Sequence, residues 1–223
     1  APVDILEIMR MPLFTTNAYE RDLVFKRPGV KVVIPAYALY SNIDFEYESS
    51  ANYRSLYSDI HHIHNVHVPL HKAISIEIAA DNLPERLRDK ALVANVTSNG
   101  RITSAGGAYQ NNVVSTHSMT FGNFAIAVDT IPPRITPINL SKGANMRGAP
   151  SIRFKISDNF SGISTYNGWI DDQWVLFEYD AKNDLITYRF DPDRLKKNTK
   201  HHLVLKVTDA KNNLSEYTAD FTW

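Results

Sequence analysis

The chain has 223 residues, 43% of them hydrophobic, with 24 basic against 24 acidic side chains and no cysteine. A formal net charge of zero argues against nucleic acid as the main partner, because phosphate binding needs a clustered positive excess. Disulfide staples and thiolate zinc sites are excluded outright, and no apolar run reaches the roughly 18 residues of a transmembrane segment.

The first 17 residues mix Ile5, Leu6, Ile8 and Met9 with Pro12, which suits an edge strand or the tail of something larger. The start at Ala1-Pro-Val suggests a processed or cut product. From Arg21 a β pattern takes over. Leu23–Phe25 and Val30–Ile34 read as strands around a Pro28-Gly29 turn. Ile43, Phe45 and Tyr47 alternate with acids, and Ile74, Ile76 and Ile78 repeat that half-buried pattern. Leu83–Leu87 reads as a turn with a trace of helix, before a strand over Ala91–Val96. Asn99-Gly100 signals a hairpin, and Ala105-Gly106-Gly107 a bulge or sharp bend before a strand over Val113–Ser118.

The stretch Phe121–Ile135 organises the whole. Phe124, Ile126 and Val128 form a strand that Asp129-Thr130 and Pro132-Pro133 bring to a stiff stop. Two domains of about 100 residues follow, with boundaries 1–129 and 130–223. The second is built from the same kind of short alternating strands. Ile152, Phe154 and Ile156 point inward, and Trp169–Trp174 makes a tight hairpin with Asp171 and Asp172 at its tip. A strand over Trp174–Tyr179 follows, then Ile186, Tyr188 and Phe190. Asp191-Pro192 opens one short helical turn through Leu195, Leu203, Leu205 and Val207 face inward, and Tyr217–Trp223 closes the fold. The expected class is all-β: two tandem β-sandwich domains, the second immunoglobulin-like.

Three groups of residues invite chemistry. His61, His62, His64, His67, His71 and His117 are six of the eight histidines, and His62-Ile63-His64 has a spacing that can grip zinc from one strand face. No third ligand with a known spacing accompanies them, so a wet or backbone-bonded strand edge is the better reading. Asp158, Asp209, Asn212 and Asn213 lie in turns that could converge on calcium, although Asp and Asn are common turn formers in their own right. Trp169 and Tyr166 are candidates for stacking on sugar rings, whereas Trp174 opens an apolar run and is expected in the core. No Gly-x-Ser-x-Gly elbow, phosphate loop or Cys/His pair is present.

The segments Val66–Lys72, Leu83–Lys90, Phe121–Phe124 and Val128–Pro133 resemble the C-terminal region of lysostaphin-type (LytM) zinc metallopeptidases, envelope enzymes that cut peptide cross-links in peptidoglycan. Asp158–Ile163, Trp174–Asp180 and Val207–Asn213 extend the resemblance, which covers most of the chain from about Arg21. The family's catalytic pattern is a His-x-x-x-Asp segment followed much later by His-x-His. Here His62-Ile63-His64 matches the second half by spelling alone and the first half is absent, so no catalytic residue carries over. The resemblance implies a non-catalytic accessory region with no cofactor of its own, zinc being expected only in a missing upstream catalytic domain. That domain would be one partner, and peptidoglycan or another glycan a second. It further implies a cell-envelope location, periplasmic or outer-membrane associated, reached through a signal absent from this chain. A glycan-binding module in its own right is the alternative.

Overall fold

A computed structural model describes residues 18–52 and 56–223. The edge strand or tail expected over residues 1–17 lies outside the described residues. The structure is nearly all β, with 53% strand and 4% helix in sandwich-like antiparallel sheets. It divides into two compact units, one ending at Asp129 and the other running from Thr130 to Trp223.

Among the described residues the first unit has strands β1 (Leu23–Arg27), β2 (Val30–Ile34), β3 (Tyr47–Ser50), β4 (Ile60–Ile63), β5 (Pro69–Ala79), β6 (Ala91–Val96), β7 (Ile102–Ser104), β8 (Ala108–Gln110), β9 (Val113–Thr120) and β10 (Gly122–Val128). They form two five-stranded sheets, ordered β1-β2-β5-β9-β8 and β3-β4-β10-β6-β7. The period of two does the sorting: Val30, Val32 and Ile34 face inward with Ile74, Ile76 and Ile78, against Phe124, Ile126 and Val93 of the second sheet. The chain changes sheets between β7 and β8, at Gly106-Gly107. Both glycines have positive φ, and a Cβ on Gly107 would lie 2.2 Å from the Ser115 carbonyl oxygen, so the bend admits only glycine there. The helical trace near Leu87 is a 3-10 turn over Glu85–Lys90.

The second unit has strands β11 (Arg134–Pro137), β12 (Ala144–Asn145), β13 (Ser151–Ser157), β14 (Ile163–Ile170), β15 (Gln173–Val175), β16 (Glu178–Asp180), β17 (Leu185–Arg189), β18 (Lys200–Asp209) and β19 (Leu214–Thr222). Its sheets run β11-β13-β17-β16 and β12-β19-β18-β14-β15, the strand order of an immunoglobulin-type sandwich. Phe154, Ile152 and Ile156 meet Leu203, Leu205, Val207 and Phe221 between them. Each such side chain contributes about 1.5–3 kcal/mol when fully buried, so packing alone can hold a unit without disulfides.

Two expectations need correction. The alternating stretch from Ile43 becomes strand only at Tyr47; Phe45 is buried, but from irregular chain. The short helical turn expected through Leu195 is there as one turn, Leu195 N donating to the Asp191 carbonyl at 2.9 Å. The single strand expected over Trp174–Tyr179 is two, because β15 belongs to one sheet and β16 to the other. The chain leaves the first sheet at Leu176-Phe177, and the register then decides which side chains are buried.

Candidate functional site

The hairpin joining β14 to β15 has a two-residue tip, Asp171-Asp172, with both φ values positive at 50° and 63°. That is the I′ geometry whose twist matches the strands it joins, and Asp tolerates it better than most residues. The tip fixes the pairing: Ile170 faces Gln173, Trp169 faces Trp174, and Gly168 faces Val175. Across the next ladders Trp169 faces Val204 and Val204 faces Thr218. Cross-strand partners share a face, so Trp174, Trp169, Val204 and Thr218 form one row on the outer side of the sheet.

Trp174 is therefore not a core residue. Its relative exposure is 48%, and its indole N–H donates to Asn167 Oδ1 at 3.2 Å. The apolar run Trp174–Phe177 splits by alternation: Val175 and Phe177 are buried, while Trp174 and Leu176 face out. Phe177 fills the space above Gly168, where a Cβ would lie 2.3 Å from its ring. Trp169 is half-buried, with the Lys206 ammonium 5.9 Å from its ring centroid. Tyr166, three residues earlier on β14, points to the opposite face. It pairs with buried Val207, packs against the core, and sits 5.4 Å from Tyr179. Trp169 and Tyr166 thus do not share a surface; Trp174 is the partner that the apolar run concealed.

Beside the tryptophan row the same face hollows into a cavity of about 440 Å³ lined by Lys142, Lys200, His202, Thr218, Asp220 and Thr222, among others. His202 and Asp220 are cross-strand partners with Nδ1 and Oδ1 2.6 Å apart, and Lys200 faces Thr222 one row further on. Under this face, His201 is buried with Nδ1 2.6 Å from Asp171 Oδ2 and Nε2 2.9 Å from the Lys196 carbonyl. Asp171 Oδ1 also accepts from the His202 backbone N–H at 2.8 Å, tying the hairpin tip to β18.

The histidines of the first unit disperse. His61 is buried facing inward, with Nδ1 2.8 Å from the Tyr47 hydroxyl, and burial lowers its pKa to about 4. His62 faces the other way, its ring nitrogens engaged by Asn123 Oδ1 at 2.8 Å and Ser50 Oγ at 2.9 Å. His64 does not continue the strand. Its φ is 52°, and its ring packs edge-on to Phe121 at 4.9 Å, where burial lowers its pKa. The shared face expected for His62 and His64 is lost because the strand ends between them, at Ile63.

The turn acids do come together. Carboxylate oxygens of Asp158 and Asp209 lie within 4.8 Å of each other. Asp158 Oδ2 accepts from Phe160 N and Gly162 N at 2.9 and 2.8 Å, and Asp209 Oδ1 accepts from Lys211 N and Asn213 N at 2.7 and 2.9 Å. Asn213 Nδ2 donates to the other Asp209 oxygen at 2.7 Å, while Asn212 is exposed. These carboxylates hold turns closed.

No curated protein matches the chain. The Zu5-like domain family matches residues 15–129, more than half of its length, and nothing in that match links it to lysostaphin-type peptidases. The chain belongs to the Zu5-like domain family.

Proposed function

We propose that the chain is a non-catalytic binding module whose second unit takes glycan on the outer face of the β12-β19-β18-β14-β15 sheet. The observation that carries this is the cross-strand pair Trp169–Trp174: two indoles in one row, one of them 48% exposed, on a two-residue hairpin. Aromatic faces on a sheet stack on the apolar faces of sugar rings, and each stack supplies on the order of 1 kcal/mol, so two in a row raise a weak contact to a usable one. Thr218 and Asn167 border the indoles with the polar groups that orient hydroxyls. An accessory role beside an upstream peptidase, at the cell envelope, rests on the resemblance of the segments named above and on no site in the described residues.

The test is retention of the whole chain on insoluble peptidoglycan, chitin and cellulose. Wild-type protein should be retarded on at least one of them, Trp174→Ala and Trp169→Ala should each weaken retention several-fold, and the double variant should flow through with its melting temperature nearly kept. A wild-type chain that is retained by none of the three sinks the reading.

A further inference from the structure

The tryptophan row and the cavity are neighbours on one sheet face. Val204, which pairs with Trp169, is preceded by alternation by His202 and then Lys200 along β18, so the three rows Trp169–Val204–Thr218, His202–Asp220 and Lys200–Thr222 form one continuous strip. Its charge is uneven. Asp220, the carboxylate in the cavity lining, is engaged by His202 at 2.6 Å. Lys142 and Lys200 line the same space, and neither ammonium has a hydrogen-bond or ion-pair partner among the described residues. Elsewhere on this sheet the lysine is matched: Lys206 faces Glu216 across the ladder with Nζ 3.3 Å from its carboxylate. The hydroxyls of Thr218 and Thr222 project from the same strip.

From this juxtaposition we infer that the strip selects an acidic saccharide, with a neutral ring face stacked on Trp169 and Trp174 and a carboxylate of a neighbouring sugar held in the cavity by Lys142 and Lys200. The inference rests on the glycan reading and adds the ligand's charge. Two ammonium groups on one anion give a charge-assisted contact with a preferred direction along the strip. Because both are exposed, the gain is modest and screened by salt.

The experiment is calorimetric titration of the whole chain at low salt with oligogalacturonate, its methyl ester and a neutral cello-oligosaccharide of equal length. The acid should bind about tenfold tighter than the ester. K142Q/K200Q should erase that difference while leaving the ester affinity and the melting temperature unchanged, and 0.5 M salt, on the order of a 3–5 Å screening length, should do the same. Equal affinity for acid and ester, or a preference that survives K142Q/K200Q, overturns the inference while the tryptophan-dependent binding of all three ligands stands. Acid binding indifferent to Trp169→Ala and Trp174→Ala overturns the glycan reading instead. Competition by acetate as strong as by the oligomer also overturns the inference, since it marks a site for any small anion.

Discussion

Asp171 Oδ2 and the Nδ1 of buried His201 lie 2.6 Å apart, joining the tip of one hairpin to the middle strand beside it. The next residue, Asp172, also has a positive φ and is exposed, yet makes none of these contacts. Two adjacent aspartates thus have separate tasks: one bonds, and the other only tolerates the turn.

This predicts that Asp171→Ala costs about 1–2 kcal/mol, because it strands a ring nitrogen of His201 in the interior and releases the His202 N–H. Asp172→Gly should be neutral or slightly stabilising, since glycine suits a left-handed position. Urea unfolding of both variants decides the matter. Equal costs would show that the His201 bond contributes nothing.

The first unit should lose stability in mild acid through His61. Burial holds the folded ring's pKa at about 4, against 6.5 for the free side chain. Above pH 6.5 neither state binds the proton. Between 6.5 and about 4 the unfolded chain takes it and the folded ring refuses it, so stability falls as the pH drops and levels off below 4. The full loss is up to about 3 kcal/mol. Unfolding followed from pH 7.5 to 4.5 should show His61→Gln losing less than wild type over this window; parallel curves would acquit His61.

Gly168→Ala should cost about 1–3 kcal/mol, because the new methyl group would meet the buried ring of Phe177 at 2.3 Å. Phe177→Leu, destabilising alone, should cost less in the Gly168→Ala background. The signature is therefore a coupling in a double-mutant cycle, and additive effects would refute the contact.

Two aromatics of the second unit, Phe154 and Trp174, should part company. Phe154→Ala, at a fully buried position, should cost about 3–5 kcal/mol, whereas Trp174→Ala should cost under about 1 kcal/mol. Thermal melts of the two variants check this, and a large loss at Trp174 would return it to the core.

Periodicity carried most of the architecture. Ile74, Ile76 and Ile78, and Leu203, Leu205 and Val207, are buried as their alternation requires. The Pro132-Pro133 stop lies between β10 and β11. Trp174–Phe177 failed because four apolar residues in a row carry no alternation to read; its faces were set by pairing with β14 and by the switch of sheets. The Asp171-Asp172 tip held the missing signal, since a two-residue turn places Trp169 opposite Trp174 by counting alone. His62 and His64 failed for a different reason: a positive φ at His64 ends the period of two, and no residue type announces it. The cavity was illegible because Lys142 comes from a turn far from Lys200 in the sequence, and only the sheet brings them together.

In both units the strand made last lies in the interior of its sheet: β10 sits between β4 and β6, and β19 between β12 and β18. During vectorial synthesis each unit must therefore wait, with β6 lacking a principal ladder partner until Gly122–Val128 emerge and β18 until Leu214–Thr222 do. A ribosome adds about 5–20 residues per second, so the first wait, across the residues from β6 to β10, lasts seconds. For that interval the nascent chain exposes unpaired ladder groups beside apolar side chains, the condition under which strands from neighbouring chains pair with one another. A chain cut just before β10 or β19 would carry this exposure permanently, and its expected fate is aggregation rather than a smaller fold.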